Sequence, residues 1–240
     1  MLLEVADVYA GYDSGGDILR GATLAVRAGE FVCLVGPNGA GKSTVLRVIS
    51  GLLKPRHGKV TYRGRDISGL RPDLVLRLGI AHIPQGRSVF PGMTVWENVL
   101  LGGYSLRDRK LVAERLERVC ALFPLVPERR HEKAGRLSGG QQKQVEIARA
   151  LMLAPDVLLL DEPSLGLDPK TTRSLFASIN ELHQAGMTIL MVEQNARTGL
   201  EAADRGYVLE LGRTCLEGEG RRLLEDPEMK RLYLGQGLVA

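Results

Sequence analysis

Residues 36–44 read Gly-Pro-Asn-Gly-Ala-Gly-Lys-Ser-Thr, and no other stretch constrains the fold as much. Glycine stands at 36, 39 and 41. A residue without a Cβ lets the backbone turn its N–H groups inward at positive φ. The apolar run Phe31–Val35 before the loop reads as a buried strand. Ser43–Gly51 after it, with Val45, Leu46, Val48 and Ile49, reads as a helix. The loop then lies at a helix N-terminus, where orphan N–H groups and the macrodipole favour an anion. Strand, glycine-rich turn and helix together form the P-loop pattern: residues Gly36, Pro37, Asn38, Gly39, Ala40, Gly41 and Thr44 cradle phosphates. Lys42 reaches the β/γ-phosphates and the Ser43 hydroxyl takes Mg²⁺. The loop by itself names neither the nucleotide nor the work that follows.

The chain has 240 residues, 44% hydrophobic and 25% charged, which suits one or at most two compact lobes. Its net charge of +4 comes from scattered cations with no aromatic interleaving, so nucleic acid is not an expected partner. Cys33, Cys120 and Cys215 are widely spaced and form no C-x-x-C pair. They are expected to be small buried residues of a reducing compartment rather than disulfide or zinc partners. The start, Met1-Leu2-Leu3-Glu4-Val5, lacks a basic n-region and an apolar h-region. No run approaches the roughly 18–20 apolar residues of a membrane span. The expectation is a soluble, cytoplasmic chain, and at a membrane another chain would do the crossing.

Residues 2–35 read as β-rich, with alternation in Leu3-Glu4-Val5 and Ala22–Val26 and turns at Gly11 and Gly15-Gly16. Tyr12 reads there as an ordinary aromatic at a strand end. Gly58–Gly64 reads as a short strand, Pro72–Leu78 as a short helix and Gly79–Ile83 as a strand ending at Pro84-Gln85. From that position the Gln85 amide can point to the phosphates, although an ordinary loop residue stands in such places too. Gly86–Met93 reads as an exposed but ordered loop. Thr94 opens a T-x-x-E capping box with Glu97, and a helical pattern runs to Phe123. Thr94–Arg136 therefore reads as a helical insertion between core strands. Ser138 caps a helix running to Pro155, Val157–Leu160 is a buried strand, and Asp161-Glu162 closes it. Thr171–His183 is helical, with His183 expected at the surface. Met187–Val192 and Gly206–Leu211 are strands, and Glu217–Leu234 reads as short helices. This alternation gives an α/β fold with a mainly parallel sheet.

Asp161 can hold Mg²⁺ opposite Ser43, and Glu162 can polarise an attacking water. The plainer alternative is a pair of solvent-facing charges at a strand end. Ser138-Gly139-Gly140 forms a second glycine-rich helix N-terminus. It suggests a composite site that reaches a nucleotide held by another copy, against the simpler reading of an N-capped helix.

In order, GPNGAGKST, Gln85, LSGGQ, LLLLDEP and the Ser164–Asp168 turn resemble the ATP-binding cassette (ABC) ATPases over essentially the whole chain. The resemblance implies a P-loop NTPase fold with a β-rich N-terminal subdomain, a parallel-sheet core and a helical insertion. It implies a single domain over 1–240, with a RecA-like core at about 1–93 and 137–240 and a helical subdomain at about 94–136. By the same resemblance Tyr12 stacks on adenine, and Gln85 contacts Mg²⁺ or water and couples to a membrane subunit. Ser138, Gly139, Gly140 and Gln141 close on the γ-phosphate held by an opposing subunit, and Ser164–Asp168 lies at the dimer seam. ATP and Mg²⁺ are the implied ligands. The implied partners are a second cassette, identical or different, set head to tail, with transmembrane permease subunits and, indirectly, a substrate-binding protein. The implied location is the cytoplasmic face of the membrane.

Where such cassettes carry a switch histidine, this chain has Gln194. An amide can hydrogen-bond a γ-phosphate but cannot carry the proton of an imidazole. Val192-Glu193-Gln194-Asn195, Gly86–Asn98, Glu162–Leu167 and the Tyr233–Gly235 ending resemble one ATPase subunit of branched-chain amino acid importers. Urea importers share much of this pattern, and Gln85 leans toward them. The expected activity is ATP hydrolysis that powers import, with Glu162, Lys42 and Gln194 as catalytic residues and Ser43, Gln85 and Asp161 at the metal. The alternatives are a urea or other small-metabolite importer, a non-transport cassette such as an iron–sulfur assembly ATPase, and a nucleotide-binding regulator without turnover.

Overall fold

The computed structural model describes residues 1–12 and 15–234, with side chains to 231. Strands β1 (Leu3–Ala10) and β2 (Leu19–Val26) alternate buried and more exposed positions, as a sheet with one face on a core does. Strand β3 (Phe31–Val35), buried throughout, leads through the glycine-rich loop into α1 (Lys42–Ile49). Strands β4 (His57–Tyr62) and β5 (Arg65–Asp66) form a hairpin through Arg63 and Gly64, both at positive φ. That turn matches the twist of paired strands. Helix α2 (Pro72–Arg77) leads to β6 (Ile80–Ile83). Then come α3 (Val95–Gly102), α4 (Arg109–Leu122), α5 (Leu125–Glu128) and a 3₁₀ turn at Ala134–Arg136. Helix α6 (Gly139–Leu151), β7 (Val157–Asp161), α7 (Pro169–Gln184), β8 (Thr188–Glu193) and α8 (Ala196–Ala202) follow. Strands β9 (Arg205–Glu210) and β10 (Arg213–Glu219) and helices α9 (Gly220–Leu223) and α10 (Pro227–Leu234) complete the described chain.

One sheet has the order β2-β1-β4-β5 and is antiparallel; the other has the order β10-β9-β3-β8-β7-β6. All neighbours from β9 to β6 in the second sheet are parallel, and only β10 runs against its partner. Side chains of the central strands divide between two cores. Phe31, Cys33, Val35, Leu158, Leu160, Ile189 and Met191 face the helices α3, α6, α7 and α8. Val32, Leu34, Val157, Leu159, Leu190 and Val192 face α1 and the antiparallel sheet. Burial on both faces is why these strands read as unbroken apolar runs.

The helical insertion has a narrow neck. Its ends meet in the Thr94–Lys133 bridge, Val95 N–H donates to Glu132 C=O and Ala134 N–H to Met93 C=O. The expected T-x-x-E capping box at Thr94 is present. The continuous helical pattern to Phe123 is in fact two helices, because the chain breaks after Gly102 and restarts where Asp108 caps α4.

Other expectations need correction. Glu217–Glu219 belong to β10, not to a terminal helix; β10 joins β9 through Leu211 and Gly212, both at positive φ. Its edge position leaves alternate residues in solvent, so it carries little apolar signal. Cys33 is buried, but Cys120 is half-buried and Cys215 exposed. His183 is not simply a surface residue: its ring meets Phe31 edge-on and its Nε2 lies 3.1 Å from both Gly29 O and Asp204 Oδ2. Gly235 of the Tyr233–Gly235 ending lies outside the described residues. No helix among the described residues is long and apolar enough to cross a membrane.

Two stability outcomes follow from this packing. A Cβ on Gly102 would stand 1.9 Å from the Arg149 carbonyl oxygen of α6, so Gly102→Ala should cost about 1–3 kcal/mol through overpacking. A urea midpoint equal to wild type would contradict the close approach of α3 and α6. His82 on β6 pairs through Nδ1 with Ser50 Oγ at 3.0 Å, while its buried Nε2 has no partner among the described residues. Burial, with Arg47 nearby, lowers its pKa to about 4. The unfolded chain therefore binds the extra proton first. His82's contribution is complete above pH ~6.5 and falls by on the order of 3 kcal/mol as the pH drops towards about 4. In His82→Gln that part of the pH slope, read from urea midpoints at successive pH values, should vanish.

Candidate functional site

Strands β3 and β7 end on either side of β8, with Val35 opposite Glu193 and Asp161 opposite Val192. This register gathers the glycine-rich loop, Asp161-Glu162 and Glu193-Gln194 at one end of the sheet. Gly41 has φ 104° at the N-cap of α1, and no side chain caps the helix. The first-turn N–H groups of α1 are thus left to a ligand or water. A Cβ on Gly36 would lie 2.2 Å from the Leu209 carbonyl oxygen, so β9 backs the loop with no room for a side chain.

Lys42 is buried, and its Nζ donates to Gly36 O at 2.9 Å and Pro37 O at 3.1 Å. It also lies 3.7 Å from Glu162 Oε1. Burial pulls the lysine below its ordinary pKa, and the Glu162 carboxylate opposes that shift. Ser43 Oγ donates to Asp161 Oδ1 at 2.8 Å. Burial raises the Asp161 carboxyl, and the serine hydroxyl pulls it back. Glu162 has φ 45°, a left-handed backbone that swings its side chain out of the strand direction. Its Oε2 accepts the Gln85 amide at 2.8 Å. Thus Lys42, Ser43, Gln85, Asp161 and Glu162, chosen from sequence, stand together.

Tyr12 lies half in solvent, and its hydroxyl accepts from Arg47 at 2.8 Å. Gln194 is exposed at the end of β8. Ser138 and Gln141 form a reciprocal capping box with each other. Gly140 packs so closely on Thr171 of α7 that a Cβ would overlap its methyl. No hydrogen bond among the described residues joins Ser138–Gln141 to the glycine-rich loop. The second glycine-rich helix start is therefore not part of the constellation within this chain.

Sequence reasoning passed over a buried polar joint behind Gln85. Lys143 of α6 donates to Gly86 O at 2.8 Å and pairs with Glu146 at 2.6 Å. Glu146 also accepts the Ser88 N–H, and Arg149 donates to Ser88 Oγ at 2.8 Å. Lys143, Glu146 and Arg149 at intervals of three on α6 were the available signal. Glu193 was passed over too: it is buried and accepts the Ser164 N–H. The only signal for it was a charge ending an apolar run.

The donor set at Ser43, Asp161 and Gln85 is all oxygen on the acceptor side, which fits a hard cation such as Mg²⁺. Among the described residues no group of three or more His, Cys, Asp or Glu side chains is arranged to hold a metal.

Residues 19–165 match the family described as ABC transporter. The chain is 42% identical over 217 residues to the high-affinity branched-chain amino acid transport ATP-binding protein BraG of Pseudomonas aeruginosa. That match covers 90% of this chain and 93% of BraG. Among solved structures it resembles the ADP conformation of MJ1267, an ATP-binding cassette of an ABC transporter. The TM-score is 0.88 at 30% identity, over 98% of this chain and 99% of that one. It also resembles the dimeric post-hydrolysis state of the cassette MJ0796 bound to ADP and Pi. The TM-score there is 0.78 at 29% identity, over 91% of this chain and 99% of that one.

Proposed function

The chain belongs to the ABC transporter family and is an ATPase, and on that premise we propose that it powers an importer of branched-chain amino acids. The observation that carries the hydrolytic reading is Glu162. Its left-handed backbone turns a buried carboxylate back toward Lys42 and the amide of Gln85. That places a base beside a phosphate cradle, where a phosphoryl transfer needs little beyond positioning and charge stabilisation.

In this reading Tyr12 stacks on adenine, while the 36–44 backbone and Lys42 hold the phosphates. Lys42 exchanges its bonds to Gly36, Pro37 and Glu162 for bonds to phosphate oxygens. Glu162, freed of that partner, orients the attacking water and accepts its proton as the bond to the γ-phosphorus forms in line with the leaving ADP. Ser43, Asp161 and Gln85 would hold Mg²⁺, which supplies charge neutralisation on the phosphate oxygens. Gln194 hydrogen-bonds the γ-phosphate without carrying a proton.

The self-contained cap of Ser138–Gln141 supports a head-to-tail pair in which this segment meets the nucleotide of the other cassette. The likeness to a cassette dimer supports the same arrangement. Residues of about 94–136, behind the neck at Thr94 and Lys133, form the helical subdomain, and about 1–93 and 137–240 form the core. Gln85 and the Gly86–Phe123 surface face permease subunits at the cytoplasmic side of the membrane. The joint of Lys143 and Glu146 passes motion between that loop and α6. The likeness to BraG supports the choice of cargo, and a substrate-binding protein would deliver it to the permease.

Glu162→Gln should bind ATP as wild type does and lose about 10²–10³-fold in kcat, as steady-state phosphate release would show. Lys42→Ala should lose affinity for the nucleotide itself. Wild-type turnover in Glu162→Gln would remove Glu162 from the mechanism. Purification of the tagged chain from its native membranes should recover two multi-spanning chains and a second cassette, and leucine should stimulate ATPase activity once the binding protein is added. Recovery of soluble proteins alone would overturn the transport reading.

A further inference from the structure

Glu193, the last residue of β8, takes no part in the chemistry described above, yet it is buried beside it, only 1% exposed. Its Oε1 accepts the Ser164 N–H at 3.1 Å and its Oε2 the Gln194 N–H at 3.2 Å. One residue earlier, Val192 C=O accepts the Glu162 N–H at 2.9 Å. The end of β8 thus grips three backbone N–H groups, at 162, 164 and 194. Glu162 lies in the left-handed region, where a residue with a side chain remains only if its surroundings hold it. On the far side of that turn Leu165 N–H donates to Glu162 C=O at 3.1 Å.

The carboxylate is wedged in place. A Cβ on Gly199 of α8 would lie 3.0 Å from Glu193 Cβ and 2.7 Å from Cys33 Sγ, so α8 and β3 leave its stem no room to swing. The charges that act on it are Glu162 and Lys42. Burial raises its pKa, and the Ser164 side chain together with the two N–H groups opposes the shift. A neutral side chain of the same shape has only one acceptor end, so it would leave one of the N–H groups facing an N–H₂.

We propose that Glu193 is a positioning residue for hydrolysis: it clamps the Ser164 turn and the Gln194 segment to one another and so fixes the Glu162 carboxylate and the Gln194 amide on the γ-phosphate. This rests on the hydrolytic reading given above. A glutamine at 194 has no charge to contribute, so its effect depends on placement, and Glu193 supplies the placement through the backbone.

The test uses Glu193→Gln and Glu193→Asp, each purified in complex with its native partners. Four quantities are measured: ATP affinity with a fluorescent nucleotide analogue, kcat from phosphate release, melting temperature, and amide exchange at residues 164 and 194. Glu193→Gln should keep ATP affinity within about twofold and lose on the order of 10–100-fold in kcat, as a small misplacement of reacting groups does. Exchange at the two amides should rise selectively. Glu193→Asp keeps the charge but is one methylene short of spanning both amides, so its kcat should be intermediate. It also serves as the test if the glutamine variant does not fold. Wild-type kcat despite faster exchange at both amides would overturn the proposal. Affinity, kcat and melting temperature falling in parallel would also overturn it, since that marks a purely structural role. The exchange measurement does not involve turnover, so it separates failure of the clamp from failure of Glu162 as the base.

Discussion

The nucleotide end depends on the parallel pairing of β3, β8 and β7. Val35 is set opposite Glu193, and Asp161 opposite Val192. Three strands from distant parts of the chain therefore stop level with one another, each delivering its functional residues at the same height. The register is secured by apolar packing on both faces, since successive residues of these strands enter different cores. A one-residue slip would exchange the two sets of side chains and carry the carboxylates away from the loop. Precision at the polar end is thus borrowed from the hydrophobic body behind it.

On that platform the charges are mutually dependent. Lys42, Asp161, Glu162 and Glu193 are all buried, and a buried charge is tolerable only with partners. Lys42 has carbonyls and Glu162, Asp161 has Ser43, and Glu193 has two N–H groups. Gln85 then ties Glu162 to the loop that Lys143, Glu146 and Arg149 fasten to α6. The path from the Glu162 carboxylate to the start of the second glycine-rich helix is a continuous run of polar contacts and one helix, α6.

Much of this was legible in the sequence because its signals are strong ones. Unbroken apolar runs give central strands, glycine at fixed spacing gives the phosphate loop, and the serine and carboxylate chemistry pairs Ser43 with Asp161 across 118 residues. What escaped notice was weak for physical reasons. β10 is an edge strand whose half-solvated alternation carries little hydrophobic contrast, and β5 is only two residues long. The break between α3 and α4 hides inside a pattern that keeps helical periodicity on either side. Glu193 left no distinct mark, because a one-dimensional pattern cannot tell a buried carboxylate from an exposed one. The exposed Cys215 shows the converse, since the small apolar character of cysteine is a tendency towards burial and not a rule.

The bonds from Lys42 to the carbonyls of Gly36 and Pro37 have a kinetic meaning. A phosphate loop held shut by its own lysine is already folded when nucleotide arrives, so capture needs only an exchange of partners and no ordering of chain. Little of the binding free energy goes into building the pocket. Loading then requires the exchange of two lysine hydrogen bonds and no loop closure.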